Sequence, residues 1–225
     1  MNEPTDIYSR GPLLGIDESG KGDFFGPLVI AGVMADESQA AVLAEKGVRD
    51  SKKMADSRIK SLARWIMANF VHSVVLIGPR KYNELYRKIG NLNKLLAWGH
   101  SRVIENVAAE NTIGLAISDQ FGRADFIEKT LMEKGRRIEL RQIVRAETII
   151  PVAAGSIVAR AAFVNFLDKM SQQYHMTFPK GAGGPVDEAA FSLASRHGMP
   201  VLEETAKIHF KNFQKVLNKR GARSR

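Results

Sequence analysis

The apolar positions of this chain fall into strand-like runs in the first half and helix-like stripes in the second. Residues 12–17 and 28–35 read as two strands, the second (Leu-Val-Ile-Ala-Gly-Val-Met-Ala) apolar enough to be buried. A glycine turn closed by Gly26-Pro27 separates them, so they are expected to pair as neighbours. Residues 71–77 form a β-branched strand, and 113–118 and 138–144 two shorter ones. Helical spacing covers 38–46 and 56–69, the latter with Asp56 or Ser57 as N-cap. From 93 to about 110, Leu95, Leu96, Val103, Ile104 and Val107 share one helical face. A long helix is predicted over 151–173 with Pro151 in its first turn, then helices over 187–197 and 203–217. Alternating elements of this kind predict an α/β sheet covered by helices on both faces. A single domain over 12–218 is expected, between an N-terminal tail (1–11) and a basic tail (219–225).

Composition narrows the picture. The chain has 225 residues, of which 44% are hydrophobic, enough for a sizeable core. It has no cysteine, which excludes disulfides and thiolate metal sites; a reducing cytoplasm is the simplest setting. The start, Met1-Asn2-Glu3-Pro4-Thr5-Asp6, is acidic and unlike a secretory signal. No uninterrupted apolar run approaches ~18 residues, so no membrane span is expected. Lys plus Arg exceed Asp plus Glu by 33 to 24, a net charge of +9 that suits a polyanionic partner.

Candidate chemistry sits where predicted core elements end. Asp17 and Glu18 close the first strand and enter Ser19-Gly20-Lys21-Gly22. Adjacent strand residues point to opposite faces, and an unpaired buried carboxylate is costly, so this pair belongs at a strand end, best beside a divalent cation. Gly20 and Gly22 let backbone approach a ligand closely, and Lys21 with exposed N–H groups suits phosphate. Asp119 ends the strand at 113–118, and Glu147 lies between the strand ending at Val144 and the helix near Pro151. If these strand ends converge, four carboxylates gather, and paired divalent ions would neutralise them and support phosphoryl displacement. Oxygen-only ligands favour Mg²⁺ or Mn²⁺ over zinc. Taken singly, each acid is more often a cap or a surface residue.

Other polar groupings are open to two readings. Ser51, Lys52 and Lys53 form a charged loop that suits phosphate or plain solvation. Asn91, Asn93 and Lys94 open a helix, and capping accounts for one asparagine only. Ala153-Ala154-Gly155-Ser156 offers small side chains for close packing or for a substrate backbone. Ser156 and Arg160 lie one turn apart, within reach of one phosphate.

Together these residues resemble the type 2 ribonuclease H family, with its ribonuclease HIII branch the better match. The likeness runs from Asp17-Glu18-Ser19-Gly20-Lys21-Gly22 through Asp50-Ser51-Lys52-Lys53, Lys81-Tyr82-Asn83-Glu84-Leu85 and Gly90-Asn91-Leu92-Asn93-Lys94. It continues through Leu95 to His100, Asp119-Gln120-Phe121, Ala146-Glu147, Val152 to Arg160, and Phe178-Pro179-Lys180-Gly181-Ala182, spanning about 12 to 215. The resemblance implies a ribonuclease H-like fold, a mixed five-stranded sheet flanked by helices with a helical C-terminal part. It implies an endonuclease that cuts RNA in RNA/DNA hybrids with two metal ions, leaving 5′-phosphate and 3′-hydroxyl ends. Asp17, Glu18, Asp119 and Glu147 would be the catalytic and metal-binding set, holding two Mg²⁺ or Mn²⁺. Substrate contacts would fall to Ser19, Gly20, Lys21, Gly22, Ser51, Lys52, Lys53, Asn91, Asn93, Lys94, Gln120, Ser156, Arg160 and Lys180. A monomer with no protein or membrane partner is expected.

Two departures stand out. Ribonuclease HIII proteins usually carry an N-terminal hybrid-binding domain, whereas 16 residues precede Asp17 here. Position 155 is Gly where the family usually has Ala, an exchange expected to cost about 1 kcal/mol in a helix. Alternatives are a ribonuclease HII-like enzyme cutting at single ribonucleotides in duplex DNA, and a non-catalytic hybrid-binding protein.

Overall fold

The computed structural model describes residues 7–49, 54–120, 135 and 138–223. Strand β1 (Leu13–Ser19) is the centre of the sheet; its first four residues are buried and its last three half-buried. It pairs antiparallel with β2 (Leu28–Ala35), from Leu13 opposite Ala35 to Ser19 opposite Val29, as the glycine turn predicts. On its other side it pairs parallel with β4 (Leu115–Asp119), and β4 pairs parallel with β5 (Leu140–Ile143). With β3 (His72–Ile77) the order is β3-β2-β1-β4-β5, the mixed five-stranded sheet that the resemblance implied.

Eight helices among the described residues accompany the sheet: α1 (Glu37–Glu45), α2 (Asp56–Asn69), α3 (Pro79–Ile89), α4 (Leu92–Ala108), α5 (Ile150–Tyr174), α6 (Gly184–His197), α7 (Val201–Thr205) and α8 (Lys211–Arg223). Two of them cover opposite faces of β1. A Cβ on Gly15 would lie 2.1 Å from Val152 N, so α5 packs backbone to backbone on the face that Leu13, Gly15 and Asp17 share. A Cβ on Gly32 would meet Val103, Leu14 and Ile16, and one on Gly99 would meet Ile30, which puts α4 on the other face. The glycine at 155 is therefore no tolerated defect. Its absent Cβ would sit 2.9 Å from Ala31 O and 3.0 Å from Gly15 O, so an alanine there would push helix and strand apart.

The structure corrects several expectations. Helix α2 begins at Asp56 with Ala55 as N-cap and no side-chain capping bond; Asp56 instead faces Arg160. Helix α3 is absent from the sequence reading, although Pro79 at its first turn and left-handed Gly90 at its end are ordinary boundary signals. The predicted helix over 203–217 is two helices, α7 and α8, separated by residues 206–210. Residues 219–223, expected in the basic tail, continue α8. Helix α5 is long and apolar enough to cross a membrane by length and composition, yet 72% of its most apolar window is buried inside the protein. It is a core helix.

The chain divides into two compact units. The first comprises residues 1–19, 29–75 and 91–162, the second 20–28, 76–90 and 163–225. The first holds β1 and the α4 and α5 contacts just described. In the second, buried Asn83 of α3 donates to the carbonyls of Glu203 (3.1 Å) and Ala206 (2.9 Å) and accepts from Ile208 N (3.1 Å). In the same unit, Phe24 packs edge to face with Phe25 and Phe210, and Phe25 with Phe178.

Candidate active site

The parallel pairing of β1 and β4 sets the geometry of the first two acids. Its ladder runs from Leu13–Leu115 to Ile16–Ser118, so Asp17 and Asp119 occupy the next rung. Residues level on adjacent parallel strands project to the same face, and the strands lie about 4.8 Å apart. Both carboxylates are half-buried. Asp17 Oδ1 accepts from Glu18 N at 2.8 Å, which orients it across the strand end.

Glu147 reaches this edge through a turn. Past β5, Arg145 takes a left-handed conformation (φ 60°, ψ 40°), and Ala146–Thr148 form one turn of 3-10 helix. A non-glycine residue in that region is a strained position of the kind that collects at functional sites. Ala146 N donates to Asp119 Oδ1 (3.3 Å), so the turn carrying Glu147 is hydrogen-bonded to the β4 acid. Ala146 is itself anchored in a core cluster with Leu13, Leu115, Ile117 and Val152.

Glu18 goes elsewhere. Strand alternation turns it to the α4 face, opposite Asp17. There His100 Nε2 stands 3.7 Å from Glu18 Oε2, with the histidine fully buried and the carboxylate 12% exposed. His100 Nδ1 lies 3.0 Å from Leu96 O and donates to it, which leaves Nε2 directed at Glu18. Among the described residues, no group of three or more Asp, Glu or His side chains is placed to hold one ion. His100 was absent from the predicted site. Its signal was a polar residue four places after Leu96 in an otherwise apolar helical stripe.

The remaining predicted residues fall in several places. Ser19 ends β1 and Gly20 follows with φ 91°, its missing Cβ only 2.2 Å from Pro27 O. Gly22 is exposed, and a Cβ there would meet nothing within 4 Å. Asp23, next in the chain, accepts from Gly181 N at 2.6 Å, and Phe24 N donates to Gly181 O at 2.9 Å. The loop bearing Lys21 is thus fastened to the one bearing exposed Lys180, both in the second unit. Asn91 caps α4, accepting from Lys94 N at 3.1 Å; Asn93 is half-buried and Lys94 exposed. Gln120 is exposed just past Asp119, its N–H bonded to Ile143 O at 3.2 Å. Ser156 is 8% exposed, and Arg160 forms an ion pair of 3.2 Å with Asp56. Ser51, Lys52 and Lys53 lie outside the described residues.

A mixed sheet with this strand order and acids at adjacent parallel strand ends is the framework of a ribonuclease H-like nuclease. The solved structure of Bst-RNase HIII in complex with Mn²⁺ matches 96% of this chain and 73% of its own with a TM-score of 0.86, at 31% identity. The chain belongs to the ribonuclease HII family, whose model matches residues 14–213. Its relatives include ribonuclease HIII of Chlamydia pneumoniae, 47% identical over 208 residues covering 91% of this chain and 70% of that protein. Ribonuclease HIII of Protochlamydia amoebophila is 40% identical over 221 residues, covering 98% and 73%. The protein is a nuclease of the class that cleaves RNA in RNA/DNA hybrids by two-metal-ion catalysis.

Proposed function

We propose that Asp17, Glu18, Asp119 and Glu147 form the catalytic centre of a hybrid-directed endoribonuclease of the HIII type, holding two Mg²⁺ or Mn²⁺. The observation that carries this reading is the shared rung of Asp17 and Asp119, with the Glu147 turn hydrogen-bonded to Asp119. Asp17, Asp119 and Glu147 offer hard carboxylate oxygens, the donor type that these ions take. Ions held there supply charge neutralisation at the scissile phosphodiester and activation of water. Glu18, next to Asp17 in β1, would complete the set, its carboxylate 3.7 Å from His100.

Gly20-Lys21-Gly22 would lie against the hybrid backbone beside the ribose 2′-hydroxyls, the groups that distinguish RNA from DNA. Gly22 supports this, because neither backbone angle nor neighbouring atoms demand glycine there. Lys180 adds charge from the fastened neighbouring loop. With lysine between the glycines there is a point charge and no planar guanidinium fork, so alignment draws on several consecutive 2′-hydroxyls. The expected preference is for hybrids with runs of ribonucleotides over a lone one in duplex DNA.

The test is cleavage of three labelled duplexes with Mg²⁺ or Mn²⁺: an RNA/DNA hybrid, DNA with one embedded ribonucleotide, and plain DNA. The hybrid should be cut to 5′-phosphate and 3′-hydroxyl ends, the single-ribonucleotide duplex with lower kcat/KM, and DNA not at all. Comparable kcat/KM on the first two substrates overturns the HIII-type preference. Binding without cleavage would make the chain a hybrid-binding protein.

A further inference from the structure

Lys207 is fully buried, in the break between α7 and α8 where helical periodicity predicts no interruption. Its Nζ donates to the carbonyls of Asp23 (2.8 Å), Gly26 (2.8 Å) and Phe25 (3.4 Å). Its backbone N–H donates to Phe24 O at 2.8 Å. Four consecutive carbonyls, 23 to 26, are thus turned toward one residue. The Tyr82 ring lies 5.7 Å from the ammonium.

An ammonium removed from water is costly, and a chain of the same length without charge would fill the same space. What the ammonium adds is direction, since convergent N–H donors hold a loop in one conformation where an apolar group would leave it several. The loop so held is the continuation of Gly20-Lys21-Gly22, and its first residue is bonded to Gly181, next to Lys180. Gly26 N donates to Thr205 O at 2.9 Å, closing the same knot from the other end.

We propose that Lys207 is a positioning residue for substrate binding, locking the loop 23–26 so that Lys21 and Lys180 are presented together to the phosphates of the hybrid. This rests on the hybrid-nuclease reading above and goes beyond it by naming what organises the binding loop.

The experiment compares wild type with K207M at pH 6.5, measuring kcat, KM and hybrid affinity by fluorescence anisotropy. KM and Kd should rise about tenfold while kcat at saturating hybrid stays within about twofold. In a K21A background, K207M should raise KM less than about twofold further, because its effect acts through the loop carrying Lys21. An unchanged KM overturns the proposal, as does a K207M effect that multiplies fully with that of K21A. The latter marks a purely structural lysine. If K207M does not fold, K207R takes its place: it keeps the charge but cannot converge on the same carbonyls, and the same two comparisons decide. Wild type that neither binds nor cuts the hybrid refutes the underlying reading along with the inference; wild type that binds and cuts leaves the variants to judge Lys207 alone.

Discussion

The closeness of α5 to β1 makes two alanine substitutions informative as a pair. Gly155→Ala adds a methyl group 2.9 Å from Ala31 O and 3.0 Å from Gly15 O, where ordinary contact begins near 3.4 Å. The helix must therefore retreat by about 0.5 Å. Overpacking of this size costs about 1–3 kcal/mol. Against it stands the helix-propensity gain of Ala over Gly, about 1 kcal/mol. The net expectation is a loss of about 0–2 kcal/mol. Gly15→Ala puts its methyl 2.1 Å from Val152 N and 2.2 Å from Pro151 C, a deficit of about 1.3 Å against rigid backbone. Its cost should exceed the ~3 kcal/mol upper end of ordinary overpacking. The position 155 methyl also lies 3.4 Å from Asp17 N, so the retreat occurs beside one of the acids proposed to be catalytic. A misplacement of about half an ångström there should lower kcat by roughly tenfold. Urea denaturation at constant m reads the stability change, and single-turnover cleavage reads the chemistry. Gly155→Ala that gains about 1 kcal/mol and keeps wild-type turnover would refute the close-approach argument.

Four further outcomes are expected. Asp119→Asn should abolish turnover with an unchanged melting temperature, since the amide oxygen still accepts from Ala146 N, whereas Asp119→Ala should also lower the melting temperature by freeing that turn. Saturating Mn²⁺, at about a hundredfold its Kd, should raise Tm by about 5–10 °C; Asp17→Asn should remove more of this gain than Glu18→Gln, because Glu18 lies on the other face, and equal effects would contradict that placement. Gly22→Ala should leave Tm unchanged and raise KM for the hybrid, and an unchanged KM would remove this loop from the interface. Burial pulls the Lys207 ammonium down to about 7, with the Asp23 charge opposing it. Above that pH the folded chain has shed a proton that the unfolded chain keeps to about 10.4, so stability should rise with pH across this window, by at most about 1.4 kcal/mol per unit. Urea midpoints at pH 6.5 and 8.5 should show the full rise in wild type and, in K207M, only the smaller part that His209 contributes.

Local pattern carried much of this protein. Alternating and clustered apolar residues located all five strands, because a strand with one or both faces buried must write that burial into its own sequence. The glycine turn between 19 and 28 announced the antiparallel β1–β2 pair, and the acids at strand ends were visible as charges that a sheet interior would not accept. The helix ending at Ile89 is equally legible in Pro79 and Gly90. Other features exist only between segments far apart in the chain. That Asp17 and Asp119 share a rung follows from the register of β1 on β4, 102 positions apart, and no local signal encodes register between parallel strands. Glu18 faces His100 because α4 lies on the even-numbered face of β1, which packing at Gly32 and Gly99 decides. Gly155 read by helix propensity was a small defect; read against the carbonyls of Gly15 and Ala31 it is the condition for the contact. Lys207 sat inside an apparently continuous helix, and only the folded loop 23–26 shows why the helix breaks there, since four distant carbonyls turn toward the lysine from another part of the chain.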